Sequence, residues 1–250
     1  MPPAAGEPAG TVSTWVIVHG GWHTGAEFEA TAAHLRAAGH TVHLPTLAGN
    51  RAGDDKDVGL EDAIASLLDY LASADLSDVV LAGHSYGGMV ITAAADRLPE
   101  RLRRLVYWNA FVPRDGEALV DLVPAHYRAL FDDLVAADGS VMLPWPIWRE
   151  AFINDAPLDV AERAYARLNP HPYRTFTDPV RLSRAPDALA MPKSYLNCTE
   201  DTALPHGHPW HPRLSERLGL FRLVQVPGSH ELCFSDPARL AAALDVAGRD

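Results

Sequence analysis

Apolar residues along this chain follow two alternating rhythms. Short continuous runs appear at "TWVIVHG" (14–20), "HTVHLPT" (40–46), "DVVLAGHS" (78–85) and "LRRLVYWNAF" (102–111). Between them, apolar positions recur at helical spacing in "AEFEATAAHLRAAG" (26–39, closed by Gly39), in "LEDAIASLLDYLAS" (60–73) and in "YGGMVITAAADRL" after the third run. Runs without polar alternation are strands buried on both faces, and helices between them supply the cover. The pattern predicts an α/β fold with a parallel sheet and helices on both faces.

The rhythm breaks between about Phe111 and Pro192, a segment rich in Pro, Trp, Tyr and Arg with helical patches and no clear strand. It resumes with "KSYLNCT" (193–199), a helix near 212–218, "FRLVQVPG" (221–228) and a last helix at 237–247. The reading is one α/β core built from 13–111 and 192–250, interrupted by a helical cap insertion at 112–191. A loose Pro/Ala/Gly tail at 1–12 precedes it. There is no internal repeat.

Composition narrows the function classes. With 250 residues and 48% hydrophobic content the chain can bury a sizeable core. A formal net charge of -11 without a basic cluster repels phosphate backbones and argues against nucleic-acid binding. No apolar run has the length of a transmembrane helix. "MPPAAGEPAGTVS" lacks the basic and apolar regions of a secretory signal, so the expected location is the cytoplasm. Cys198 and Cys233 form neither a disulfide framework nor a CxxC site. The expected partner is a small-molecule substrate, with no cofactor, metal or membrane; a homodimer is compatible with the chain but not specified by it.

The chemistry gathers around "LAGHSYGG". Ser85 ends the third strand and Tyr86 opens the following helix. A strand that turns at once into a helix strains the residue at the corner and requires small neighbours two positions away, here Gly83 and Gly87. This is the nucleophile-elbow arrangement G-x-S-x-G, which presents a hydroxyl at the carboxyl edge of the sheet. The competing reading is a glycine-rich turn with a serine N-cap. Of the 12 histidines, His230 in "VPGSHELCFSDP" follows the last strand and overhangs the same edge. Glu200 and Asp201 in "YLNCTEDTALP" follow the penultimate strand, giving the order Ser…acid…His. Asp115 is a third, weaker acid candidate. "HGGWH" after the first strand lets the Gly21 N–H act as an oxyanion donor beside the Tyr86 N–H.

With these blocks in view, the sequence resembles the α/β-hydrolases, and within them the group of plant methylesterases, hydroxynitrile lyases and bacterial EstC-like esterases. "VIVHGGWHTGAEFEATAAHLRAAGHTVHLPTLAG", "LAGHSYGGMV", "YLNCTEDTALP" and "GSHELCFSDPARLAAAL" carry the resemblance, and "FINDAP" and "ARLNPHPYRTF" resemble bacterial cap segments. It implies about six strands, Ser85 as nucleophile, Asp201 as acid, His230 as base, and Gly21 and Tyr86 as oxyanion donors. A member of the lyase branch would carry Thr at Gly20 and Lys at Glu231, and both departures argue against cyanohydrin cleavage.

Candidate substrate contacts are Trp22, Glu231, Trp145 and Trp148. A cleft-facing Glu231 would repel anions; a solvent-facing one would do nothing. Most cap aromatics are expected to pack the cap onto the sheet. "HGHPWH" (206–211) looks like a metal cluster but lacks fixed spacing and a partner carboxylate. His19 and His84 are expected to hold backbone, and His23 to pack. The resulting expectation is a serine hydrolase for a small-to-medium apolar or aromatic carboxylic ester. The alternatives are a lyase, cyclase or decarboxylase using His230 as a proton shuttle, and a non-catalytic small-ligand receptor on the same fold.

Overall fold

The computed structural model describes residues 12–250; most of the tail expected at 1–12 lies outside the described residues. In chain order the strands are β1 (Thr14–Val18), β2 (Thr41–His43), β3 (Val79–His84), β4 (Leu102–Trp108), β5 (Ser140–Val141), β6 (His171–Pro172), β7 (Lys193–Cys198) and β8 (Arg222–Val226). Six form one sheet in the order β2-β1-β3-β4-β7-β8, and every pairing in it is parallel. Trp108 pairs with Leu196, so the chain between β4 and β7 leaves the sheet and returns beside its point of departure.

The continuous apolar runs divide by residue parity. Val16, Val18, Val79, Leu81, Leu105 and Tyr107 enter one core cluster. Trp15, Ile17, Val80, Ala82, Val106 and Trp108 enter the other. On the first face pack α2 (Leu60–Ser73), α3 (Gly87–Arg97) and much of the cap. On the second pack α1 (Glu29–Ala37) and the helix Pro237–Gly248. A strand residue on either side therefore meets hydrocarbon, which is why no polar alternation is seen.

The excursion between β4 and β7 contains α4 (Ala125–Leu134) and the helix Leu158–Tyr165. It also contains a feature absent from the sequence reading, the antiparallel pair β5–β6, with Val141 opposite His171. Two-residue strands containing a proline carry no periodicity to detect. The helix expected at 212–218 is a short 3-10 turn, Ser215–Leu218. Among the described residues, no helix is long and apolar enough to cross a membrane.

Candidate active site

Ser85, Asp201 and His230 each lie just beyond a strand at the carboxyl edge of the sheet, where parallel strands hand over to loops. Ser85 follows β3 directly and has φ +52, the left-handed strain expected at an elbow. Its N–H donates to the Trp108 carbonyl at 3.2 Å, which fixes the corner against β4. The flanking glycines are sterically required. A Cβ on Gly83 would lie 2.9 Å from the Gly87 backbone, and one on Gly87 would lie 2.8 Å from the Val18 carbonyl oxygen.

His230 follows β8 and is 1% exposed. Its Nδ1 lies 2.6 Å from Asp201 Oδ2. The Asp201 carboxylate only accepts, so Nδ1 carries the proton and Nε2 is left with a lone pair. Asp201 has two further donors: the Ala203 N–H at 2.8 Å to Oδ1, and the Asn109 amide to Oδ2. Asn109 is fixed in turn, accepting the Cys198 N–H at 2.6 Å. The competing acids are elsewhere. Glu200 and Asp115 are exposed, and Asp115 accepts the Leu182 N–H.

Rings hold the His230 imidazole from several directions. Trp210 stacks on it at 5.2 Å, Phe152 meets it edge-on at 5.1 Å, and His84 lies 4.6 Å away. Ser85, His230, Gly21 and Tyr86 all line one cavity, whose remaining wall is almost wholly apolar. Phe131, Phe152 and Phe176 from the cap, together with Trp22 and Trp210, form much of that wall.

The loop after β1 is held by the cap. Trp22 has φ +65. Its N–H donates to His171 Nδ1 at 3.3 Å and its carbonyl accepts the Asn169 N–H at 2.8 Å. His19 spans the same loop, donating from Nδ1 to the Gly20 carbonyl and accepting the Leu47 N–H on Nε2. Burial pushes the His19 pKa down to about 4, so it stays neutral.

Of the four candidate substrate contacts, Trp22 lines the cavity; Glu231, Trp145 and Trp148 do not. Trp148 is buried in the cap, where its indole N–H donates to the Ala161 carbonyl. Trp145 packs on Tyr165. Glu231 turns under the loop to His23, at 3.2 Å, and neither faces solvent. In "HGHPWH", His206 and His208 are exposed and His211 pairs with Ser215; the residue that reaches the site is Trp210. Asn109, Trp210 and Phe131 escaped the sequence reading. Asn109 carried one usable signal, an amide directly after a central strand.

The sheet order, the strained serine corner and the buried His–Asp pair define a hydrolase architecture. The chain belongs to the Alpha/beta hydrolase family, whose model matches residues 15–243. Among curated relatives, it is 33% identical to a carbendazim hydrolyzing esterase of Nocardioides sp. (strain SG-4G), over 95% of this chain and 100% of that one. It is 29% identical to Methylesterase 7 of Arabidopsis thaliana, over 76% of this chain and 79% of that one. Among solved structures, an extracellular alpha/beta-hydrolase from a Paenibacillus species superposes with a TM-score of 0.92 at 37% identity. It covers 95% of this chain and 100% of its own, and is described as sharing homology with tobacco Salicylic Acid Binding Protein 2.

Proposed function

We propose that this protein is a serine esterase for small-to-medium, uncharged carboxylic esters with an apolar or aromatic acyl part. The relatives support the ester-hydrolase class. The observation that carries the mechanism is the buried His230–Asp201 pair at 2.6 Å, opening onto the same apolar cavity as Ser85.

In this reading the His230 Nε2 lone pair takes the Ser85 proton as Oγ attacks the ester carbonyl. Asp201 holds the Nδ1–H tautomer and stabilises the imidazolium. The Gly21 and Tyr86 N–H groups receive the oxyanion, and each such donor is worth about 100- to 1,000-fold in rate. His230 then gives its proton to the departing alkoxide. Water, deprotonated by His230, releases the acid from the acyl-serine.

Gly20 favours hydrolysis over the lyase alternative. A Cβ there would lie 2.8 Å from His84 Nδ1 and 3.2 Å from Ser85 Cβ, so the threonine of the lyase branch has no room. The cavity wall argues for an uncharged substrate, because burying a carboxylate against it without a partner is costly. Two buried free thiols suit a reducing compartment, and we place the enzyme in the cytoplasm. The similar Paenibacillus protein is described as extracellular.

A panel of aryl, alkyl and carboxylate-bearing esters, run beside cyanohydrins and β-keto acids, tests this reading. Turnover of the neutral aryl and alkyl esters, with the anionic esters at least tenfold slower, is expected. Turnover of the carbon–carbon substrates alone would reverse the assignment.

A further inference from the structure

Three side chains that line no part of the substrate cavity converge beneath the His230 loop. Among the described residues, His23, His84 and Glu231 each bring one ligand-type atom to within 4.8 Å of the others. All three are at most 1% exposed. His23 comes from the loop after β1, His84 ends β3, and Glu231 follows the catalytic histidine after β8, so the sheet edge assembles them from distant parts of the chain.

Their hydrogen-bonding capacity is not met by the protein. His84 Nε2 lies 3.0 Å from the His230 carbonyl oxygen. A carbonyl only accepts, so Nε2 carries the hydrogen and Nδ1 a lone pair. That Nδ1 is buried without a partner. His23 Nε2 lies 3.2 Å from Glu231 Oε2. The Glu231 carboxylate accepts the Cys233 thiol at 3.7 Å.

A lone pair on His84 Nδ1, the Glu231 carboxylate and a His23 ring nitrogen thus lie together in the interior. One proton shared by His23 and Glu231 still leaves His84 Nδ1 bare. A dication satisfies all three.

We propose that His23 Nε2, His84 Nδ1 and a carboxylate oxygen of Glu231 are the protein ligands of a structural divalent metal site of the zinc type. Two imidazoles and a carboxylate suit that ion, and bonds of about 2.0–2.2 Å put tetrahedral ligands about 3.3–3.5 Å apart. The His23–Glu231 separation of 3.2 Å is already close to this. The wider separations need ring movements of about 1 Å. The ion would join the oxyanion loop, the end of β3 and the His230 loop, and no step of the ester reaction passes through it.

The test uses the full-length protein, stripped with a chelator, reloaded with Zn2+ or Co2+ and desalted. The wild type is expected to retain one ion per chain and to melt several degrees above the stripped form. Glu231→Gln and His23→Asn, with wild-type circular dichroism, are expected to lose both effects. If a variant does not fold, anomalous scattering from zinc-loaded wild-type crystals decides instead, with density expected between the three side chains. No retained ion in the wild type, equal retention in folded variants, or density elsewhere would overturn the proposal and leave a proton as the occupant.

Discussion

At the scale of single residues, the site is a chain of orientation constraints. Asn109 holds Asp201, Asp201 holds His230 Nδ1, and Nε2 is thereby left with its lone pair. Asn109→Ala leaves one Asp201 lone pair buried without its donor, a loss of about 1–3 kcal/mol. If that falls on the transition state, kcat drops about 10- to 100-fold with KM little changed. Steady-state kinetics on one aryl ester decide it, and an unchanged kcat would remove Asn109 from the chain. Ser85, His230 and Asp201 were legible in the sequence because each follows an apolar run and because glycines mark the serine corner. Asn109 was not, since one amide after a strand looks like any loop residue. Glu231 was placed in a substrate role by its position beside His230, but side-chain direction is a tertiary property. The structure turns it to His23 instead.

At the scale of elements, the cap does two jobs. It supplies most of the phenyl rings over Ser85, and its β6 region pins the loop after β1 through His171 and Asn169. The first job predicts a specificity change. Phe131 lines the cavity and packs on Trp22 and Phe176. Phe131→Ala is expected to raise kcat/KM for bulky aryl acyl groups relative to acetyl esters. The same change costs about 3–5 kcal/mol of stability if the space stays empty. An unaltered ratio of bulky to acetyl esters would show that this wall does not select substrate. The strands and core helices were readable because periodicity survives wherever one face is buried. In the cap it does not, because short helices and two-residue strands are set by contacts with the core. Trp145 and Trp148 looked like substrate contacts by type alone, yet both serve internal packing.

At the scale of the whole molecule, several histidines are enclosed in neutral form. Burial lowers the pKa of His19 to about 4 and that of His84 and His171 well below the ordinary value. The unfolded chain binds protons that these folded groups refuse. Stability is therefore full above about pH 6.5 and is lost as pH falls through the folded pKa values, with His19 contributing about 3 kcal/mol. Urea midpoints should decline from pH 7 to pH 4.5, and His19→Gln should flatten the decline. A midpoint independent of pH over that range would show that these histidines are not enclosed as described. The parallel sheet covered on both faces was anticipated from the alternation of runs, since parallel strands need helices between them. The metal-type cluster was not, because its three members stand at 23, 84 and 231 and share no spacing.

The central claim is that Ser85 is an activated nucleophile. Its most direct test is mass spectrometry of the protein after reaction with a fluorophosphonate. One adduct per chain, mapped to Ser85 and absent from Ser85→Ala and His230→Ala, is predicted. A wild type that stays unlabelled, or an adduct on another residue, would contradict the account.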